Sequence, residues 1–281
     1  MPIAALLPLA LVLSAPDSAT SPQGAGVQNR LWGCSTTFLD YDRDGRLDLF
    51  VSNYITFERT PPMLDFQIAP DVVPRARVGL LVLEGVRVRE SDPALDAEVD
   101  RTCASFRERY GEGRSSEVPG AADARTLYKA LGIDPTKTRP SNEALLRRAL
   151  KGETLYRICT MVDALNLVSL RQQLPFGLYD LEQVKPPVVL RKGSAGEGYE
   201  GIGKGFVNVE ARPVLVDAEG PFGNPTSDSA RTRITLATRN ALVVAYAPAG
   251  YNPGRLDAVL DATEETLTRF CGGTRAERRI L

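Results

Sequence analysis

The sequence contains no histidine among its 281 residues. This absence removes the commonest general base and the commonest nitrogen ligand of metals, and it excludes Ser-His-Asp and Cys-His catalytic arrangements. An excess of charge of one sign is also lacking, since 34 basic and 35 acidic side chains give a net charge of −1. A strongly basic nucleic-acid footprint is therefore excluded, and any RNA binding must depend on a local patch.

Cysteine is scarce and widely spaced. The four cysteines form no Cys-x-x-Cys pair: Cys34, Cys103, Cys159 and Cys271. Structural zinc sites use close cysteine pairs, usually with histidine, so this spacing argues against zinc. A disulfide framework is also unexpected in so long a chain, and we predict reduced thiols. We expect a cytoplasmic protein whose main domain needs no cofactor.

The first fifteen residues look like the apolar core of a signal peptide. The run is too short to span a membrane, so no membrane partner is predicted. No Lys or Arg precedes it, although a signal peptide has a positively charged start. A secretory signal therefore stays an alternative interpretation.

Residues 24–58 carry an Asp-x-Asp-x-Asp-Gly-x-x-Asp spacing, which is typical of a calcium loop. Alternate carboxylates converge on one ion, and the glycine permits the sharp turn between them. The segment resembles one FG-GAP/VCBS repeat of secreted, integrin-like β-propellers. The candidate Ca²⁺ ligands are Asp40, Asp42, Asp44 and Asp48.

A single repeat of this kind cannot bury its own hydrophobic face, and the chain contains no second copy. We therefore interpret residues 1–62 as an incomplete propeller-repeat-like segment that does not fold independently. The Thr60-Pro61-Pro62 break and the start-like sequence from Met63 indicate a boundary at this point. The predicted organisation is an appended segment, 1–62, followed by a main domain, 63–281.

From Met63 onward, helix and strand signals alternate. Periodicity and capping residues predict helices that begin at about Pro93, Ala121, Asn142, Thr160 and Pro253. Apolar runs predict strands at Val78–Glu84, Val188–Arg191, Phe206–Glu210, Val214–Asp217 and Ala241–Ala247. The glycine-rich stretches Gly193–Gly205 and Gly220–Gly223 are predicted to be loops, and the Arg275–Arg279 tail is expected to share the disorder of chain termini. Helices first and strands later predict an α+β class, a mixed layered domain with a β-rich C-terminal half.

Three stretches of the main domain carry a family resemblance: Arg139–Gly152, Met161–Asp180 and Arg231–Val244. Together they resemble stand-alone proteins related to the B3/B4 domain of the phenylalanyl-tRNA synthetase beta chain, over roughly residues 63–281. The resemblance implies a module that binds tRNA or the end of an aminoacyl-tRNA, or a relative that has lost that task. We expect no DNA partner. Class II aminoacylation motifs are missing, so a complete ligase is excluded.

Several polar and basic residues are candidates for a site in such a module. The predicted pocket residues are Asp163, Asn166, Ser169, Asp180, Thr232 and Thr235. The resemblance matches Asp163 and Asn166 to an Asp and an Asn of the family's helix motif; alternatively they anchor buried hydrogen bonds, and Asp180 is a turn or cap residue. The candidate phosphate contacts are Lys192, Lys204, Arg231, Arg233 and Arg239. The alternative is that these side chains are ordinary solvated charges.

One departure from the family concerns catalysis. Where the synthetase reads Gln-Pro-x-His-x-Phe-Asp, this chain has Gly177 in place of the histidine. A histidine-assisted editing step therefore cannot be transferred, although water held by polar groups and the RNA's own hydroxyl could still hydrolyse an ester. Three hypotheses follow: a tRNA-binding module in aminoacyl-tRNA quality control, a trans-acting esterase that deacylates mischarged tRNA, and a secreted calcium-binding interaction protein. The oligomeric state, the tRNA and the amino acid stay open.

Overall fold

The computed structural model describes residues 63–111 and 115–281, together with the backbone of strands in the N-terminal segment. These strands are β1 (Leu11–Ser14), β2 (Trp32–Leu39) and β3 (Asp48–Ile55), which pair antiparallel in the order β1-β3-β2. The chain divides into two compact units, Met1–Pro62 and Met63–Leu281. Asp40, Asp42 and Asp44 of the candidate calcium loop lie outside the described residues, and Asp48 is the first residue of β3. Calcium binding there stays a prediction.

Met63–Leu281 contains five helices in its described part, and two of them have a side-chain N-cap. The five helices are α1 (Pro93–Tyr110), α2 (Ala121–Ala130), α3 (Ser141–Leu150), α4 (Thr160–Gln172) and α5 (Pro253–Cys271). The Asp92 carboxylate accepts the Ala94 and Leu95 N–H groups at the start of α1, and the Asn252 side chain accepts the Arg255 N–H at the start of α5. Because a proline follows each cap, the local sequence alone defines both helix starts. In the described part of the chain, no helix is both long and apolar enough to cross a bilayer.

The strands of this unit form two sheets and a hairpin. They are β4 (Phe66–Ile68), β5 (Ala76–Glu84), β6 (Phe176–Asp180), β7 (Val188–Lys192), β8 (Gly198–Gly201), β9 (Gly205–Asn208), β10 (Pro213–Asp217), β11 (Gly220–Gly223), β12 (Asn240–Pro248) and β13 (Thr274–Ile280). The central sheet is antiparallel in the order β13-β5-β12-β6. The second sheet has the order β11-β10-β7-β4, with β4 parallel to β7, and β8 pairs with β9. The predicted α+β class is confirmed.

The central sheet is buried on both faces. In β5, Val78, Leu80 and Val82 pack in a core with α2 and the second sheet. The alternate residues Leu81 and Leu83 pack in the other core, with α1, α3, α4 and α5. Burial on both faces explains why β5 is a continuous apolar run instead of an alternating one. Each fully buried aliphatic side chain contributes about 1.5–3 kcal/mol relative to exposure, so this strand anchors both layers.

Segments that were predicted to be irregular form strands instead. The Arg275–Arg279 tail lies in β13, which pairs antiparallel with β5. Arg278 also pairs with Asp257 and Asp261 of α5, so the basic tail is bound to the fold. The two glycine-rich stretches contain β8 and β11, because backbone pairing with β9 and β10 does not require large side chains.

The cysteines of this unit are free thiols: Cys103, Cys159 and Cys271. Burial is the main cause that raises the pKa of each thiol. A raised pKa disfavours the thiolate, which is the reactive form, so these side chains serve packing. Cys34 lies in β2, whose side chains are outside the described part of the chain.

Candidate ligand-binding cavity

A cavity of about 440 Å³ lies among α3, α4, the β8–β9 hairpin and the segment that follows β11. Its volume falls in the range of about 300–1,000 Å³ that is usual for small-molecule sites. The wall combines apolar side chains of α3, α4 and β6 with polar side chains of α4 and of residues 225–228. Parts of the chain that are far apart in sequence therefore converge on one space.

One face of α4 forms a wall of this cavity. Val162, Leu165, Asn166 and Ser169 line it, and their three- and four-residue spacing places them on the same side of the helix. The Ser169 hydroxyl donates to the Leu174 carbonyl at 2.8 Å, which fixes the C-terminal end of the wall. The Asn166 amide, with donors and an acceptor, is half-buried at the wall. Two predicted pocket residues, Asn166 and Ser169, are thus brought together here.

Asp163 belongs to the first turn of α4 but does not line this cavity. Its carboxylate accepts the backbone N–H of Ile158 at 3.0 Å. Burial raises the pKa of Asp163 to about 6, although this hydrogen bond and nearby Arg157 lower it. Asp163 therefore acts as a hydrogen-bond anchor: it holds Ile158, which lines the cavity, in place just before α4.

The other predicted pocket residues lie together at a different place, around the turn before β12. The Asp180 carboxylate accepts the Thr238 hydroxyl at 2.7 Å, and the Asp180 backbone N–H donates to the Thr232 carbonyl at 2.9 Å. Thr232 is fully buried, with its hydroxyl 3.0 Å from that of Ser229, and Thr235 is exposed. These side chains connect the end of β6 to the turn and do not line the cavity.

The predicted phosphate contacts are dispersed over the surface. Lys204 lines the cavity from the β8–β9 turn, and its ammonium donates to the Ser227 hydroxyl at 3.1 Å. Lys192, at the end of β7, lines a separate concavity. Arg233 and Arg239 are exposed in the segment before β12. Of the five predicted basic residues, all within the described part, Lys204 alone lines the cavity.

Arg231 takes part in an ion pair within the fold. Its guanidinium donates to both Asp217 carboxylate oxygens at 2.8 and 3.0 Å, and to Glu219 at 3.2 Å. The Asp217 side chain is completely buried. This two-pronged geometry suits the planar guanidinium, which therefore neutralises a buried carboxylate.

Several cavity residues were not predicted from the sequence. Tyr156 and Ile158, between α3 and α4, and Ile202, in the hairpin, expose 61%, 62% and 48% of their surfaces. The Arg148 guanidinium lies 4.3 Å from the centre of the Tyr156 ring, which holds the ring by a cation–π contact. Arg139 adds a positive charge just before α3. The cavity edge is therefore apolar, aromatic and cationic.

Asp228 is a further residue of the same wall. Its Oδ1 is buried and receives no hydrogen bond of ordinary geometry from the described residues. Burial raises the pKa of Asp228 to about 7, although the nearby Tyr179 hydroxyl, the Leu178 backbone amide and Lys204 favour the charged form. Most buried polar atoms in proteins have partners, so this carboxylate is the most unusual polar group of the cavity.

Gly177 and Gly223 pack against the ring of Tyr179. A Cβ atom on either glycine would lie 2.3 Å from the Tyr179 hydroxyl oxygen, far inside van der Waals contact. Tyr179 is fully buried, and its hydroxyl lies 3.4 Å from that of Tyr246. Packing therefore explains Gly177, which stands where the synthetase has a histidine. Any larger side chain at this position would displace the Tyr179 ring.

Replacing Gly177 by alanine is expected to lower the free energy of unfolding by about 1–3 kcal/mol, because the added methyl overpacks a rigid core. Urea titration measures this change. Gly250→Ala is the matched control, since a Cβ there would meet no atom within 4 Å, and it should shift stability by about 0.5 kcal/mol at most. Equal stability of the two variants would contradict the packing account.

The fold and the cavity define a layered α+β domain with a ligand-sized site between its helices and a β-hairpin. The B3/4 domain model matches residues 123–274, more than half of the chain, and the chain belongs to this family. The B3/B4 resemblance of the main domain is thus confirmed, and the matched residues include the whole cavity wall. No comparison supports the FG-GAP/VCBS resemblance of residues 24–58.

Two other comparisons complete these findings. Among solved structures, the chain is similar to an N-terminal fragment of the phenylalanyl-tRNA synthetase beta-subunit from Pyrococcus horikoshii, with 11% identity and a TM-score of 0.41. That alignment covers 86% of this chain and 65% of the other, so this chain spans less than two thirds of that fragment's length. The comparison with curated proteins found no match.

Proposed function

We propose that this protein is a cytoplasmic, tRNA-synthetase-related module that accepts the aminoacylated 3′ end of a tRNA in the cavity. The observation that carries the proposal is one cavity lined by cationic side chains, an exposed tyrosine and Asp228, whose buried Oδ1 has no hydrogen-bond partner of ordinary geometry among the described residues. The sequence resemblance implies tRNA or aminoacyl-tRNA as the partner. The proposed role is aminoacyl-tRNA quality control.

The cationic groups suit the phosphates of an RNA end. Lys204 and Arg139 line the cavity from opposite parts of the sequence. Arg139 lies 3.8 Å from the Glu143 carboxylate, whose second oxygen is bound by Arg125 at 2.8 Å. Because Arg125 already neutralises Glu143, the guanidinium of Arg139 has donors free for a ligand. A local patch of this kind is what a chain of nearly zero net charge requires for RNA contact.

Tyr156 suits a nucleobase. Single-stranded RNA ends are bound largely by stacking on aromatic rings, which contributes about 1–3 kcal/mol per base. Tyr156 lies at the cavity edge with most of its surface exposed, and Arg148 stacks on the ring. A terminal adenine stacked there would direct its esterified amino acid into the cavity.

Tyr156→Ala is expected to weaken tRNA binding about tenfold, because a stacking surface is lost. Filter binding of phenylalanine tRNA, charged and uncharged, measures the affinity. Phe206→Ala is the matched control, since Phe206 is equally exposed but does not line the cavity.

Lys204→Ala and Lys137→Ala form a second pair, because both residues are exposed and only Lys204 lines the cavity. Equal losses within each pair would reject the cavity as the binding site.

A trans-acting esterase is the second candidate function, and Asp228 favours it. A carboxyl whose pKa is raised to about 7 by burial can accept a proton from water near neutral pH. That water would attack the ester carbonyl, and the ribose hydroxyl would leave with a proton. No step through histidine is needed.

Release of the amino acid separates the two functions. The full chain is incubated with phenylalanine tRNA charged with tyrosine or phenylalanine, against a control without protein. Faster release would establish the esterase, and release that persists in Asp228→Asn would exclude Asp228 as its general base. Retention of the tRNA without release would leave a binding module, and neither release nor retention would reject the tRNA proposal.

A further inference from the structure

Resting on the proposed function, we infer that Asp228 is the specificity-determining residue of the cavity and selects ligands with a free, positively charged α-amino group. Asp228 lines the cavity wall, in the segment that follows β11. The ligand class is therefore an aminoacyl nucleoside whose amine is unmodified. N-acylated or deaminated counterparts are rejected.

The missing partner of Asp228 is the first support. Its Oδ1 is buried, and no described residue donates to it with ordinary geometry. A buried acceptor without a donor is unfavourable, and a ligand that brings donors removes this penalty. An ammonium group carries three N–H donors and a positive charge, which suit a buried carboxylate that lacks a donor.

The arrangement of charges is the second support. Among the described residues that line the cavity, Asp228 is the sole carboxylate, and Lys204 and Arg139 are the cations. An aminoacyl nucleotide also carries both signs, with anionic phosphate at one end and the ammonium on its amino acid. The cations suit the phosphate, and the carboxylate suits the ammonium. A ligand of one sign would leave part of this arrangement uncompensated.

The Tyr179 hydroxyl and the Leu178 backbone N–H are nearby donors to Asp228, and neither carries a positive charge. Tyr179 and Tyr246, on β6 and β12, and Tyr199, on β8, keep their protons near neutral pH because burial raises the pKa of each phenol. Their hydroxyls also have partners: that of Tyr179 lies 3.4 Å from that of Tyr246, and that of Tyr199 donates to the Ser227 carbonyl. Lys204 is the charged neighbour, and its ammonium is hydrogen-bonded to the Ser227 hydroxyl.

The test compares two probes on the full chain at pH 7.5. One is a series of 5′-phosphoadenosines that carry a phenylalanyl, alanyl or seryl group through a stable 3′-amide bond. The other is the same series with the α-amine acetylated. Calorimetry should give at least about tenfold tighter binding of the free amine by the wild type, as expected for one charge-assisted hydrogen bond.

Asp228→Asn should reduce this preference to about twofold or less, because the isosteric amide has no charge. Asp71→Asn removes the same charge from an exposed residue outside the cavity and should keep the preference. Thermal melting of both variants confirms that each is folded.

Tight binding of both probe series without a preference would overturn the role of Asp228 and leave the cavity as a nucleotide site. A preference that survives in Asp228→Asn would overturn it as well. Failure to bind either series or charged tRNA would overturn the proposed function together with the inference.

Discussion

Arg231→Ala is expected to lower the free energy of unfolding by about 3 kcal/mol, because it removes the partner of a buried charge. The Asp217 side chain is completely buried, and Arg231 binds both of its oxygens. After the substitution, the donors left to Asp217 among the described residues are the backbone N–H groups of Lys185 and Glu219. These donors carry no net charge, so the carboxylate stays desolvated and uncompensated.

Two further variants give this expectation its controls. Arg233→Ala removes an exposed arginine two residues away and should change stability by about 0.5 kcal/mol at most. Arg231→Lys keeps the charge but loses the two-pronged hydrogen bond, so its stability should lie between those of wild type and Arg231→Ala. Guanidinium titration measures all three. Equal stabilities of Arg231→Ala and Arg233→Ala would show that the ion pair contributes nothing.

The same pair of arginines separates a structural role from an RNA role. Both residues were predicted from the sequence to contact phosphate, since nothing in a cluster of positive residues indicates which side chains have internal partners. The structure gives such a partner to Arg231 through Asp217. Measured at a temperature where both variants are folded, a weaker affinity for tRNA in Arg233→Ala alone would assign the phosphate contact to Arg233.

The helices were more predictable than the strands because their signals are local. The Asp92 and Asn252 caps, each followed by proline, lie within the helices' own sequence. By contrast, β8 and β11 are themselves rich in glycine, and β13 pairs with β5, which is remote in sequence. The sequence of β13 alone predicts a solvated basic terminus, because its strand structure depends on pairing with β5.

The candidate site shows the same division. Asn166 and Ser169 share a helical face, so their proximity follows from helix periodicity. Asp163 lies on the same helix, but its carboxylate accepts a hydrogen bond from the Ile158 N–H. Helical spacing alone does not predict this contact, because Ile158 lies before the helix. Tyr156 and Asp228 are isolated residues of irregular segments, and only the convergence of remote parts of the chain brings them to one cavity. A lone tyrosine or aspartate in a loop carries no periodic signal.

Asp228→Asn is expected to stabilise the protein above pH 7 by up to about 4 kcal/mol. The pKa of Asp228 is raised from its ordinary 3.8 to about 7, mainly by burial. The folded state therefore holds the proton more tightly than the unfolded state between about pH 4 and pH 7. Stability must fall as the pH rises through this range, and the loss is complete above it.

Urea titrations of wild type and variant from pH 4 to pH 8.5 measure this effect. The two proteins should be about equally stable near pH 4, where the carboxyl is protonated in both states, and should diverge up to about pH 7. Asp163, whose pKa burial raises to about 6, acts in the same direction, so the variant should keep a smaller decline of its own. Asp71→Asn, at an exposed residue outside the cavity, should follow the wild-type curve. A difference between Asp228→Asn and wild type that does not depend on pH would disprove the burial of this charge.

A carboxylate that weakens the fold at neutral pH and lies in a ligand-sized cavity is typical of a residue retained for function rather than stability. Binding of the aminoacyl probe tests whether the carboxylate that lowers stability is also the one that recognises the ligand. By binding the ionised carboxylate of the folded state only, the free-amine series should raise the stability of the wild type more than that of Asp228→Asn. Equal stabilisation of both proteins would separate the unfavourable carboxylate from ligand recognition.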